Sequence, residues 1–200
     1  MVTPDFGGTL RLLAEAGMAP IPERVELAVP HARGLLWQGL RHLVGAGAQW
    51  LPEYEHVARW LAGNGGLGLM AMGNCGRGKT LLVGRVVPLV IHMAVRRIVA
   101  PYSALDMNDR PDEVKSRHLV YIDDVGTEGV SVRYGVRRLV FPEVVDEAEK
   151  RGHLLLCSTN LTPDELRQRY GERTLDRLRA IVRPVAFSGA SLRGAVREKA

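Results

Sequence analysis

Apolar residues along the chain fall into short solid runs separated by longer amphipathic stretches. Residues 67–72, 119–122, 153–157 and 184–187 read as strands buried on both faces, with 97–102 as a fifth. Helical spacing occupies the intervals at 79–91, 132–150 and 172–181. Thr162-Pro163-Asp164-Glu165 predicts a further helix start, with a capping hydroxyl, a proline in the first turn and acidic residues beside the helix N-terminus. Two prolines disturb the pattern. Pro88 should clash with the carbonyl of Gly84, predicting a kink or an early end, and Pro142 implies a break or a kink in 132–150. The polar interval 106–117 has room for at most a short helix. Strands alternating with helices predict an α/β fold, a parallel sheet with helices on both faces.

The first 50 residues differ: Pro4, Pro20, Pro22 and Pro30 interrupt two helix-like stretches, 10–16 and 31–44. They read as an N-terminal helical appendage (1–50) suited to binding a partner, ahead of the α/β domain (51–200). A helix over 52–61, opened by Pro52, ends at Gly63-Asn64-Gly65-Gly66 and leads into the first strand.

Composition narrows the function classes. With 24% charged and 46% hydrophobic residues, the chain can bury a core. The net charge of +5 permits a nucleic-acid partner, though scattered arginines serve equally as solvated helix faces. The longest apolar stretch, 86–95, is too short to span a bilayer, and residues 1–8 have no leader-like pattern, so a cytoplasmic protein is expected. Two cysteines make no disulfide framework, and no His/Cys spacing resembles a zinc site.

The chemistry concentrates in Gly73-Asn74-Cys75-Gly76-Arg77-Gly78-Lys79-Thr80, which fits G-x-x-x-x-G-K-[ST] at every fixed position and lies between a strand and a helix. Glycines let backbone N–H groups close around phosphates, Lys79 neutralises them, and the Thr80 hydroxyl suits Mg²⁺. With Leu81 these are the candidate nucleotide-binding residues. Downstream, the apolar run 119–122 ends in Asp123 and Asp124. Asp123, at the end of a strand beside the phosphate loop, would hold Mg²⁺, and Asp124 would orient or deprotonate an attacking water. Residues 153–157 end in Ser158-Thr159-Asn160. Asn160 is placed to reach that water or the γ-phosphate, but on spacing alone these polar groups serve as well to cap a turn. The arginines of 173–193 read from spacing as surface residues.

Taken together, GNCGRGKT, LVYIDDVG, LLLCSTN followed by LTPDEL, YGERTLDRL and SGASLR make residues 52–193 resemble the AAA+ ATPases of the DnaC/DnaI/IstB group, helicase loaders and transposition helpers. The resemblance implies a P-loop AAA+ (ASCE) core with a five-stranded parallel sheet and little or no C-terminal lid. It implies ATP/ADP and Mg²⁺ as ligands, Asp123 and Asp124 as the Walker B pair, and Asn160 as sensor 1. Arg177 matches the arginine finger that acts on a neighbouring subunit's nucleotide, Arg173 is the second candidate, and Arg193 would be sensor 2. A homo-oligomeric ATPase that loads or remodels a replicative DNA helicase is the leading expectation. A helper of DNA transposition and a slow nucleotide-dependent switch are the alternatives, with single-stranded DNA a further expected partner. Adenine contacts are expected from residues 54–61.

Overall fold

The computed structural model describes residues 5–18, 22–133 and 136–192, with only the backbone described at 131–133 and 136–137. Its centre is a five-stranded parallel sheet built from β1 (Gly68–Gly73), β2 (Ala100–Ser103), β3 (Leu119–Val125), β6 (Leu154–Thr159) and β7 (Val182–Phe187). The spatial order is β2-β3-β6-β1-β7. β6 therefore separates β1 from β3, so Asp123 is one strand further from the phosphate-loop strand than expected.

The central strands β1, β3 and β6 alternate between two buried surfaces, as a sheet covered on both faces requires, whereas the edge strands β2 and β7 are partly exposed. Leu69, Ala71, Leu119, Tyr121, Leu154 and Leu156 join one core cluster, and Met70, Val120, Ile122, Leu155 and Cys157 join the other. The first is covered by α2 (Ala32–Val44), α3 (Pro52–Ala62) and the phosphate-loop helix; the second by α8 (Val140–Arg151) and α10 (Glu172–Ile181).

The N-terminal 50 residues divide. The helix α1 (Phe6–Glu15) buries no residue. From Leu27 on the chain belongs to the core: Leu27, Val29, Leu36 and Leu40 pack in the same cluster as Val86 and Leu69. An appendage standing off the domain therefore does not describe residues 27–50.

The phosphate-loop helix starts as α4 (Lys79–Leu81), widens into a stretch of π-helix over Leu82–Val86, and continues as α5 (Val87–Val95). Of the kink or early end expected at Pro88, the early end does not occur. Val87 N–H bonds the Leu82 carbonyl, and Pro88 falls in the first turn of α5, so the widened turn absorbs the missing N–H. Gly84 in this turn lies against the Tyr121 ring; a Cβ there would sit 2.5 Å from Cε1.

Two other expectations are corrected. The polar interval forms two helices, α6 (Ala104–Asp109) and α7 (Pro111–Ser116), the first closed by a capping box between Ser103 and Asp106. Residues 132–150 are not one helix: β4 (Ser131–Arg133) pairs antiparallel with β5 (Val136–Arg138), and only then does α8 begin. Pro142 does not break α8, because it occupies the first turn, where backbone N–H groups have no helical acceptor. Thr162 forms a capping box with Glu165 at the start of α9 (Pro163–Tyr170).

Candidate nucleotide site

At the carboxyl end of β1 the chain turns through Gly73, Gly76 and Gly78, all with positive φ (130°, 82° and 84°), conformations that side chains resist. This curls the loop around the ammonium of Lys79, a residue only 6% exposed. Nζ donates to the carbonyls of Gly73 at 2.6 Å and Asn74 at 2.9 Å, and to Asn160 Oδ1 at 2.8 Å. The Arg77 side chain turns away from the loop's interior. Its Nε lies 2.7 Å from Glu53 Oε1 on α3, and Nη1 donates to the Ala190 carbonyl at 3.3 Å. Arg77 thus braces the loop from behind rather than offering its charge to a ligand.

Asp123 and Asp124 diverge at the end of β3. The register between β3 and β6 shifts between Ile122 and Val125, and Asp124 adopts left-handed φ of 53°. Such a conformation costs about 1–3 kcal/mol for a non-glycine residue. It is held by Ser158, whose hydroxyl accepts from Asp124 N–H at 2.9 Å, and by Thr127, whose N–H and hydroxyl both donate to the Asp124 carbonyl. The bulge turns the Asp124 side chain into the cleft, 3.4 Å from Asn160 Nδ2. Asp123 stays at the base, where Oδ1 accepts from Thr80 Oγ1 at 3.0 Å, Tyr121 OH at 2.5 Å and Ser158 Oγ at 2.5 Å. Burial, followed by the bond to Asp123, holds the Tyr121 phenol well above the usual tyrosine range.

A cleft of about 1000 Å³ opens above these groups. It brings together Cys75, Gly76, Gly78, Lys79, Thr80, Leu81, Asp124 and Asn160, all expected from the sequence. The rest of its opposite wall is not among those expectations: Leu40 and Val44 of α2 and the turn Ala46 to Gln49 line it. Of the residues expected to meet adenine only Tyr54 lines the cleft, whereas Val57, Ala58, Trp60 and Leu61 are buried in the core. The glycines of the 45–47 turn, between α2 and α3, are the sequence signal for that wall. Leu192 closes the near side, its N–H bonding the Gly76 carbonyl at 2.9 Å. Arg193 lies outside the described residues.

Arg173 and Arg177 do not line the cleft. Arg173 is exposed on α10. Arg177 is half-buried and pairs with Asp146 and, at 3.2 Å, Glu149 on α8.

The donor set fits a magnesium-bound nucleoside triphosphate: a backbone cradle with one ammonium, a hydroxyl bonded to a carboxylate, a second carboxylate in the cleft, and an apolar wall for a base. Among solved structures, a crystal structure of the DnaC helicase loader matches 80% of this chain and 93% of its own, at 15% identity and a TM-score of 0.52. The chain carries the P-loop AAA+ fold. A second crystal structure, of a DNA replication initiation factor, matches 73% of the chain at 20% identity and a TM-score of 0.51; the chain spans about half that protein, 49%. DnaI matches at 22% identity over 62% of this chain and 72% of its own, with a TM-score of 0.47. No protein-family model matches the sequence, and no curated protein matches it. Among the described residues, no helix follows β7 as a lid and none is long and apolar enough to cross a membrane.

Proposed function

We propose that the protein binds and hydrolyses ATP with Mg²⁺, assembles into oligomers, and uses the cycle to load or remodel a replicative DNA helicase. The observation that carries the reading is the convergence of Lys79, Thr80, Asp123, Asp124 and Asn160, drawn from three parallel strands, at one end of the sheet. The N-terminus of the helix opened by Lys79 adds its dipole to the phosphate cradle. Mg²⁺, when bound, supplies charge neutralisation at the β- and γ-phosphates.

In this arrangement Lys79 compensates phosphate charge and Thr80, oriented by Asp123, offers its hydroxyl lone pairs to the cation. Asp124, turned out of the sheet, accepts a proton from water, and Asn160, anchored by Lys79, orients that water beside Asp124. Leu40, Val44 and the 46–49 turn exclude water around the base. The likeness in fold to the DnaC helicase loader over most of both chains supports helicase loading as the use of the cycle.

Arg177, with Arg173 as second candidate, acts in trans on a neighbour's γ-phosphate, and Arg193 acts on the chain's own. Single-stranded DNA is a further partner. Residues 1–50 include the segment offered to the helicase; α1, which buries nothing in its own chain, is the part free to do so.

The test is equilibrium ATP binding and steady-state hydrolysis. Lys79→Ala abolishes both. Arg177→Ala abolishes hydrolysis and spares affinity, and mixing it with Asp124→Asn subunits restores turnover. ATP binding by Lys79→Ala at wild-type strength would overturn the site; no rescue on mixing would overturn the trans role.

A further inference from the structure

The Asp123 carboxylate is held more tightly than a metal-site aspartate needs. Three hydroxyls, from Thr80, Tyr121 and Ser158, all reach its Oδ1, at 3.0, 2.5 and 2.5 Å. A carboxylate oxygen has about two lone-pair directions, so Oδ1 is saturated by the protein. Tyr121 precedes Asp123 by two positions on β3 and so faces the same side of the sheet. Its ring is 3% exposed and occupies the space that Gly84 leaves in the π-turn of the phosphate-loop helix. A buried phenol needs an acceptor, and Asp123 is the one it has been given. Ser158 extends the arrangement: the hydroxyl that donates to Asp123 also accepts from Asp124 N–H, tying both carboxylates to β6.

Thr80 completes the chain of consequences. Its single hydroxyl proton is directed to Asp123 Oδ1, which leaves its lone pairs turned toward the cleft. Any rotation of the Asp123 carboxylate would release that proton and scramble the hydroxyl's direction. Groups one step removed from a metal ligand characteristically set its affinity by fixing such orientations.

We propose that Tyr121 is a positioning residue for the divalent-cation half of the site, seconded by Ser158: it locks the Asp123 carboxylate, which aims the Thr80 hydroxyl at Mg²⁺. This rests on the Mg²⁺–ATP reading above. Tyr121 does not line the cleft and acts through Asp123.

The experiment is binding of N-methylanthraniloyl-ATP to the full chain, followed by fluorescence, with and without EDTA and across a MgCl₂ titration. Tyr121→Phe keeps the ring against Gly84 and removes only the hydroxyl. The Mg²⁺ midpoint should rise about tenfold, with affinity in EDTA unchanged. Ser158→Ala should move the midpoint in the same direction. A midpoint unmoved in Tyr121→Phe, or a matching loss of affinity in EDTA, overturns the assignment, because the latter is what general loosening of the domain produces. If Tyr121→Phe fails to fold, Ser158→Ala decides on the same two criteria. Wild-type protein that binds no nucleotide, or binds it with no response to Mg²⁺, removes the underlying reading and the proposal with it. A responsive wild type with variants whose midpoint is unmoved removes the Tyr121 assignment alone.

Discussion

Lys79 Nζ donates to Asn160 Oδ1 at 2.8 Å, joining the phosphate loop to the tip of β6. The other end of the same amide faces Asp124 Oδ1 at 3.4 Å. Asn160 therefore stands between the cation that meets phosphate and the carboxylate that meets water. A side chain able to donate at one end and accept at the other suits that place.

Asn160→Ala should lower ATP hydrolysis about 100-fold, the loss expected when one preorganised polar group is removed from a reacting centre. Nucleotide affinity should change little, since Lys79 keeps its two loop carbonyls. Parallel turnover and binding measurements check this; a loss of affinity as large as the loss of turnover would assign Asn160 to ground-state binding instead.

Gly84→Ala should destabilise the protein by about 1–3 kcal/mol through overpacking. The added methyl would lie 2.5 Å from Tyr121 Cε1 and 2.9 Å from its hydroxyl oxygen. The ring cannot retreat without leaving Asp123. Urea denaturation measures the effect, and wild-type stability in the variant would mean that the π-turn yields more easily than its packing implies.

Glu53→Ala strands Arg77, whose guanidinium is paired to Glu53 with side chains 14% and 6% exposed. Breaking a pair buried to this degree costs about 3 kcal/mol. ATP affinity should fall as well, because the loop loses its brace on α3. Glu53→Gln, which keeps a hydrogen-bond acceptor, should recover most of the stability; equal losses in the two variants would count against the ion pair as the cause.

The two cysteines should differ in reactivity. Cys75 is exposed and lines the cleft, whereas Cys157 is buried and its thiol is pushed up to about 12 by desolvation. At about pH 8 a maleimide should label Cys75 alone, and ATP should protect it. Because the folded thiol of Cys157 holds its proton more tightly than the unfolded value of 9.0, its stabilising effect is complete below about 9 and is lost as pH rises toward about 12. Tyr54, raised to about 12 by burial and then by Glu53, acts in the same sense. Denaturation of wild type and Cys157→Ala across that range should show a shallower decline in the variant; identical slopes would remove the cysteine's share.

Signals that depend on neighbours in sequence are legible in the order of residues. Thr162 and Glu165 close their capping box within one turn, and the glycines of the phosphate loop are demanded by local φ. Longer segments mislead where one pattern serves two structures. The helix-compatible spacing read from residue 132 onward misleads, since 131–133 pair antiparallel with 136–138, and Pro142 lies in the first turn of α8 rather than at a break. The helix through Pro88 survives because a π-turn adjusts the backbone, an outcome that residue identity does not announce.

The chemistry on offer is thus written in the sequence: a phosphate loop, two carboxylates at the end of an apolar run, and an asparagine at the end of another. Local backbone preference and strand periodicity suffice for that, since each acts within a few residues. Folding in three dimensions decides that β6 lies between β1 and β3, which puts Asn160 on Lys79 and Ser158 on both aspartates. It also decides that residues of the 40–49 segment wall the cleft and that Tyr121 secures Asp123. Those relationships depend on which buried strand pairs with which, and runs of similar apolar residues do not specify their own neighbours.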